Sequence, residues 1–246
     1  MLESNELDQV QRLFSSSELQ VRRDHAISHV LAAIQNIRAE FVFFGGTALS
    51  RTYLTNGRLS EDIDLYSNSR EVLSRELDHL PEMIEQEFSG ANWESLPSQV
   101  SDPRSALLNC DSSIKIKVQV LDAPSRGWQR IPTGITPIHQ RYSDVPATKL
   151  FTPTFDGFVA MKALVWFDRR AARDLFDLEG LSHRGEVTES ARELIDQLRG
   201  FGLTRAMMNG KVSGLWHEEL AHQTRLTVSE EECLSRVLEW WGTTEK

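Results

Sequence analysis

The sequence predicts an α+β fold, in which a small mixed sheet flanked by helices is followed by a helical C-terminal subdomain. Residues 114–120 alternate apolar and polar side chains, which is the period-two pattern of a half-buried strand. After Phe155 no segment alternates, and apolar residues recur at helical spacing instead. We therefore expect residues 1–150 to form an α/β core with N-terminal helices. Residues 151–246 are expected to form a helical subdomain that closes a cleft.

Two helices and a strand are predicted at the start of the chain. Apolar residues between Leu7 and Phe14 follow helical spacing, and the pattern resumes at Leu19 after three serines. Residues 41–44 are wholly apolar and precede Gly45-Gly46, which is typical of a buried strand that ends in a tight turn. A helix over residues 47–54 is expected to follow this turn.

The remaining elements are predicted from the same patterns. Ile63 and Leu65 alternate with acidic residues in a second short strand, and residues 70–88 have helical spacing. Residues 89–111 predict one or two further strands, whereas residues 124–153 contain five prolines and are expected to be irregular or edge-like. The C-terminal helices are expected at residues 155–180, 187–198, 203–209, 215–223 and 229–241.

Composition excludes several classes of protein. Of the 246 residues, 40% are hydrophobic and 26% are charged, so the chain can bury a core and does not resemble a disordered protein. It contains no apolar run near the roughly 18 residues of a membrane span, and its first ten residues lack the features of a secretory signal. We therefore expect a cytoplasmic protein without a membrane partner. The net charge of −9 argues against binding nucleic acid through bulk charge, so no DNA partner is expected, but it leaves room for a local basic cleft.

Zinc and hydrolase chemistry are not indicated by the sequence. Cys110 and Cys233 are isolated and form no Cys-x-x-Cys or Cys/His cluster. His217 and His222 are five residues apart, about 140° around a helix, so they do not form the one-sided histidine pair of a zinc protease. The seven histidines accompany no recognisable nucleophile triad. Trp128, like the other tryptophans, is expected to belong to the core rather than to stack on bases.

Gly45-Gly46-Thr47 is the first candidate site. A glycine pair between a buried strand and a helix lets the backbone approach a ligand, and the start of a helix directs N–H groups and the positive end of its dipole at an anion. This arrangement suits a triphosphate. The alternative is that the glycines only permit a sharp turn, with Thr47 as a helix cap.

The second candidate is the Asp-x-Asp pair of Asp62 and Asp64. On a strand both side chains project to one face, where two carboxylates repel each other unless a cation or a proton separates them. Hard oxygen ligands in this arrangement suit Mg²⁺. The alternative is a solvated edge strand whose acids point outward.

Taken together, the two motifs resemble the active site of polymerase-β-type nucleotidyltransferases. The segments FFGGTALSRTYL and GRLSEDIDLYS are similar to those of the AbiEii/AbiGii group, the MenT-like nucleotidyltransferase toxins of type IV toxin–antitoxin and phage-defence systems. The resemblance implies a nucleotidyltransferase core over residues 1–150. It also implies an NTP substrate, Mg²⁺ or Mn²⁺ as cofactor and a cognate antitoxin as partner.

A third segment, residues 161–178, is similar to the C-terminal motif of the same toxins, Lys-x-x-Ala-Leu followed by basic residues and Arg-Asp-Leu-Phe-Asp-Leu. In one continuous helix Lys162, Arg169 and Arg173 would lie within about 40° of one another and form a basic face. A solvated helix surface is the alternative. The resemblance implies an essential lysine, which by position is Lys162, and a carboxylate, which is either Asp174 or, with slight preference, Asp177.

The resemblance also assigns roles to the individual residues. Asp62 and Asp64 would hold the metal, Lys162 and Arg173 would neutralise phosphate charge, and nucleotide binding would fall to Gly45, Gly46 and Thr47, with Ser60 in support. The fold family carries a third metal-binding acid on a later strand. This chain has Lys117 and Gln119 there, and Asp122 lies just beyond.

The activity implied is transfer of a nucleotide from an NTP to an RNA acceptor, the 3′ end of tRNA in particular, with a block of translation as the result. One alternative is transfer of a nucleotide or phosphate to a protein hydroxyl, the antitoxin included. Another is a nucleotide-binding protein that has lost turnover because the third acid is missing.

Overall fold

The sheet that carries the motifs has five strands in the order β1-β2-β5-β4-β3. β2 and β5 are parallel to each other, and the other neighbouring pairs are antiparallel. The computed structural model describes residues 2–242. Its strands are β1 (Val42–Phe44), β2 (Asp62–Ser67), β3 (Asn92–Trp93), β4 (Ser105–Asn109), β5 (Lys115–Asp122), β6 (Thr133–Ile138) and β7 (Thr148–Pro153). The α+β class predicted from the sequence is confirmed.

Helices α1 to α5 surround this sheet. The two predicted N-terminal helices are confirmed, and α2 is buried along most of its length. Ser17 caps α2, because its hydroxyl accepts a hydrogen bond from the Gln20 N–H. The helices are α1 (Ser4–Phe14), α2 (Glu18–Ile34), α3 (Gly45–Ser50), α4 (Arg70–Leu77) and α5 (Leu80–Met83).

Two segments of this half differ from the prediction. The helix expected over residues 70–88 is split into α4 and α5, because Pro81 lies in the first turn of α5 and disfavours helical backbone just before it. The proline-rich stretch expected to be irregular instead contains the antiparallel pair β6–β7. Pro137 and Pro153 fit there because each strand of a two-stranded sheet has a free edge.

The C-terminal part is helical, as predicted, but its first helix is broken. Residues 155–180 form two helices, α6 and α7, since Arg170 has a φ of +54° and ends α6. The later helices begin or end within five residues of their predicted limits. The helices are α6 (Phe155–Arg169), α7 (Ala172–Ser182), α8 (Glu189–Arg199), α9 (Arg205–Met208), α10 (Trp216–Leu220) and α11 (Glu230–Trp241).

One hydrophobic core joins the two parts of the chain. It extends from Ala26 on α2 through the sheet to Trp241 on α11. The predicted boundary at residues 150 and 151 lies inside β7. None of the helices formed by residues 2–242 is long and apolar enough to cross a membrane.

Candidate active site

The Gly-Gly turn lies directly against the aspartate strand. Phe44 pairs with Asp64 across β1 and β2, so the chain turns at Gly45 beside the Asp64 carboxylate. Gly45 has a φ of +79°, and a Cβ there would overlap Asp64 Oδ2. A Cβ at Gly46 would lie 2.5 Å from Arg58 Nη2. The glycines are therefore required by close approach to site residues, and not by the turn alone.

Thr47 ties the turn to the aspartate strand through its side chain. It is buried, and its hydroxyl donates a hydrogen bond to the Asp62 carbonyl. The alternative in which Thr47 caps the helix is wrong, since Phe44 occupies the N-cap position and no side chain caps α3. Gly45, Gly46 and Ser60 line the cavity beside the turn, whereas Thr47 is not among its lining residues, and the nucleotide-binding role of all four stays a prediction.

Asp62 and Asp64 face the same cavity from a central strand. β2 lies between β1 and β5, so the alternative of a solvated edge strand is wrong. Among residues 2–242, neither carboxylate has a hydrogen-bond or ion-pair partner within the sheet or around it. Burial raises the pKa of both carboxyls, and with the added repulsion from Asp62 it raises the pKa of Asp64 to about 6.

The donor set of this pair fits a hard divalent cation. Two unpartnered carboxylates that repel each other provide the oxygen ligands that Mg²⁺ prefers, and the remaining coordination positions suit water and phosphate. Across β5, Lys117 pairs with Asp62 and Gln119 with Asp64. Asp122 pairs with Ser67, and its Oδ2 accepts a hydrogen bond from Ser125 N. Within the described chain, then, no third acidic or histidine side chain joins the pair.

Lys162 lines the same cavity and is ion-paired with both carboxylates of its motif. Its Nζ lies 3.1 Å from Asp174 Oδ1 and 2.6 Å from Asp177 Oδ2. Arg169 binds Asp174 at 2.7 Å and 3.0 Å, and Arg58 binds Asp177 through two bonds of 2.9 Å. Each carboxylate therefore has two cationic partners.

These pairings define what Asp174 and Asp177 can do. Burial alone opposes ionisation of both groups, but the cations outweigh it: Lys162 and Arg169 lower the pKa of Asp174, and Arg58 and Lys162 lower the pKa of Asp177. Both are ionised at neutral pH and are poor proton donors. Both carboxylates are therefore suited to orienting the cations that they bind. Asp174 lines the cavity, whereas Asp177 is not among its lining residues.

Two expectations about this segment are wrong. Because α6 ends at Arg170, Lys162 and Arg173 belong to different helices, so the basic face of one continuous helix does not exist. Lys162 is only 7% exposed, so the solvated-surface alternative is also wrong. Lys162 and Arg173 nevertheless line the same cavity, since α7 folds back beside α6.

The cavity has a volume of about 650 Å³ and is lined from both parts of the chain. Sequence reasoning missed Arg58, although a basic residue between the Gly-Gly turn and Asp62 was an available signal. It also assigned Trp128 to the core, whereas its half-buried ring lines the cavity and packs edge-on against Phe44 at 5.1 Å. The cationic side chains of the lining are Arg58, Lys117, Arg126, Lys162, Arg169, Arg173 and Arg199.

The model of the AbiEii family, nucleotidyltransferase toxins of type IV toxin–antitoxin systems, matches residues 29–230. The chain belongs to the AbiEii family. This is the family that the motifs resembled, and the chain is accordingly a nucleotidyltransferase toxin. The comparison with curated protein sequences gives no match.

Two solved structures are similar to this AbiEii toxin. MenT4, a nucleotidyltransferase toxin from Mycobacterium tuberculosis H37Rv, is 21% identical, with a TM-score of 0.64 over 92% of this chain and 83% of MenT4. A candidate nucleotidyltransferase from H. pylori is 14% identical, with a TM-score of 0.48 over 92% of this chain and 94% of its own. The similarity to MenT4 confirms the predicted nucleotidyltransferase fold.

Asp64→Asn should raise the melting temperature of the metal-free toxin more at pH 8 than at pH 5. The pKa of Asp64 is raised from 3.8 to about 6 in the folded state, so the fold loses stability as the pH rises from about 3.8 to about 6, and only part of this loss is present at pH 5. Thermal melts in EDTA measure the difference. The exposed Asp8→Asn on α1 is the control, and a shift for Asp64→Asn that is equal at both pH values would contradict the assignment.

Lys162→Met should destabilise the toxin by about 3 kcal/mol, because it removes one partner from two buried carboxylates. Urea unfolding measures this loss, and the exposed Lys149→Met provides the matched control. A loss no larger than that of the control would show that Lys162 is not held in the buried ion pairs.

Proposed function

We propose that this toxin transfers a nucleotide from an NTP to an RNA acceptor, the 3′ end of tRNA, and thereby blocks translation. The observation that carries the proposal is that two groups of opposite charge line one cavity. Two carboxylates without a hydrogen-bond or ion-pair partner among the described residues lie beside a glycine turn, and a cluster of cations lines the same cavity. A metal-bound triphosphate has the complementary charges.

Each group of residues has a part in this reaction. Asp62 and Asp64 would hold Mg²⁺ or Mn²⁺, which when bound neutralises phosphate charge and activates the acceptor hydroxyl. Lys162, Arg58 and Arg169 are held by their carboxylates in fixed positions, so they stabilise phosphate charge without reorganising. Gly45 and Gly46 let the phosphates approach the backbone, and Ser60 lies beside them.

The transfer itself needs few residues. The acceptor hydroxyl oxygen forms a bond to the α-phosphorus, the bond from that phosphorus to the bridging oxygen breaks, pyrophosphate leaves, and the hydroxyl proton passes to solvent. The side chains position the reactants and offset the negative charge that the phosphates bring together.

The charge distribution favours binding of a polyanionic acceptor at the cavity. The chain has a net charge of −9, so most of its surface repels RNA. The cavity is an exception, because Lys117 and Arg199 are exposed beside it and Arg126 and Arg173 are partly exposed. RNA is therefore expected to approach where the triphosphate lies.

Incubation with α-³²P-labelled NTPs, total RNA and lysate protein tests the proposal. The label should appear on RNA of tRNA size and be released by digestion of the 3′ end. A γ-labelled NTP should leave no label on RNA. Label on protein would instead indicate transfer to a protein hydroxyl, and binding without transfer would indicate a nucleotide-binding protein; either result contradicts the proposal.

Asp62→Asn and Asp64→Asn should each abolish this labelling, because each removes a metal ligand, while Asp8→Asn should retain it. Wild-type toxin freed of Mg²⁺ should be inactive and regain transfer with millimolar Mg²⁺ or Mn²⁺, whereas the two variants should not recover. Near-wild-type turnover by either variant at saturating Mg²⁺ would show that the metal assignment is wrong.

A further inference from the structure

A second group of metal-ligating side chains lies outside the catalytic cavity. His25 and His29 are four residues apart on one face of α2, and both are buried. Asp144 reaches them from the segment between β6 and β7, with 19% of its side chain exposed. None of the three lines the catalytic cavity.

The atoms of this group are spaced as ligands of one ion. His25 Nε2 lies 3.2 Å from His29 Nε2 and 3.1 Å from both Asp144 oxygens, and His29 Nε2 lies 3.5 Å from Asp144 Oδ2. A tetrahedral ion with bonds of about 2.0–2.1 Å separates its ligand atoms by about 3.3–3.4 Å. The distances between the ligand atoms of His25, His29 and Asp144 lie around that value.

Hydrogen bonding between the two imidazoles satisfies them poorly. A single proton can lie on the line between the two Nε2 atoms, so one ring nitrogen must act as acceptor there. If both nitrogens carry protons, the two N–H groups face each other at 3.2 Å while competing for Asp144. A cation at the centre removes this conflict because every ligand then presents a lone pair.

The surroundings hold the two imidazoles in place. The Tyr142 ring packs edge-on against His25 at 4.9 Å, and the Phe88 ring packs edge-on against His29 at 5.7 Å. The Tyr142 hydroxyl donates a hydrogen bond to Asp24 Oδ2 on α2. Ligands that are already oriented lose little entropy when an ion binds.

We propose that His25, His29 and Asp144 form a binding site for Zn²⁺, with water in the fourth position. Two imidazoles and a carboxylate favour zinc over Mg²⁺, whose preferred ligands are oxygens. The isolated cysteines and the spacing of His217 and His222 argued against zinc in the sequence, whereas this proposal rests on a different set of residues.

The bound ion has a structural consequence. It joins α2 to the segment that carries Asp144, and Arg141 of that segment donates hydrogen bonds to the Ser50 and Thr55 carbonyls around the end of α3. Zinc therefore strengthens the support of the helix that begins with the Gly-Gly turn, without touching the nucleotide.

Titration of the metal-free full chain with Zn²⁺, in competition with a chromophoric chelator, tests the site. One tight site per chain is expected, together with a rise in melting temperature that grows with free Zn²⁺. His25→Gln and His29→Gln should each weaken binding by at least about tenfold, as expected for loss of a ligand, and His217→Gln on the surface of α10 should not. Circular dichroism checks that the metal-free variants are folded.

X-ray absorption of the wild-type zinc complex tests the ligands without any substitution. Nitrogen and oxygen neighbours at about 2.0–2.1 Å are expected, with imidazole scattering and no sulfur. Sulfur ligation, unchanged affinity in folded His25→Gln and His29→Gln, or binding no tighter than about 0.1 mM would each overturn the proposal.

Discussion

A network of ion pairs, whose members are buried except for Arg169, determines how the cavity is built. Arg58, Asp177, Lys162, Asp174 and Arg169 alternate in sign and join the loop before β2 to α6 and α7. Taking charges out of water is costly, and the cost is offset only when each charge keeps its partners. Three cations face two carboxylates, so this network carries one excess positive charge, and its three cations all line the cavity. The ion pairs thus position these cations and set the sign of the charge that they bring to the site.

The aspartate pair in the same cavity is arranged in the reverse way. Among the described residues, Asp62 and Asp64 have no hydrogen-bond or ion-pair partner for their carboxylates. Because Gly45 has no side chain, the space beside the Asp64 carboxylate stays open. Such a pair weakens the metal-free fold, as the raised pKa of Asp64 shows. Active sites commonly contain groups that lower the stability of the free protein, because these groups find their partners only when the substrate binds. The aspartate pair therefore lowers the stability of the metal-free fold, whereas in the ion-pair network every charge keeps a partner.

The parts of this site that were predictable from the sequence are local in the chain. Gly45-Gly46 and Asp62-x-Asp64 are short patterns whose geometry follows from a turn or a single strand, and the alternation in β5 places Lys117 and Gln119 beside them. Long-range contacts were not accessible in this way. Arg58 meets Asp177 across 119 positions, and His25 meets Asp144 across the same separation. The break after α6 was missed because arginine favours helices; at Arg170 the positive φ is held by hydrogen bonds to the carbonyls of Met207 and Met208.

The N-terminal helices belong to the catalytic unit for a physical reason. α3, whose first residues form the Gly-Gly turn, has six residues and is too short to be stable alone. Its end is held by Arg51, which is fully buried and donates hydrogen bonds to the backbone and the carboxylate of Asp24 on α2. The orientation of the turn toward Asp64 thus depends on Asp24 of α2, which precedes Asp62 by 38 positions and Asp64 by 40. The close approach of Gly45 to Asp64 consequently requires α2 to keep its position. A ligand that stabilises α2 therefore also stabilises this approach.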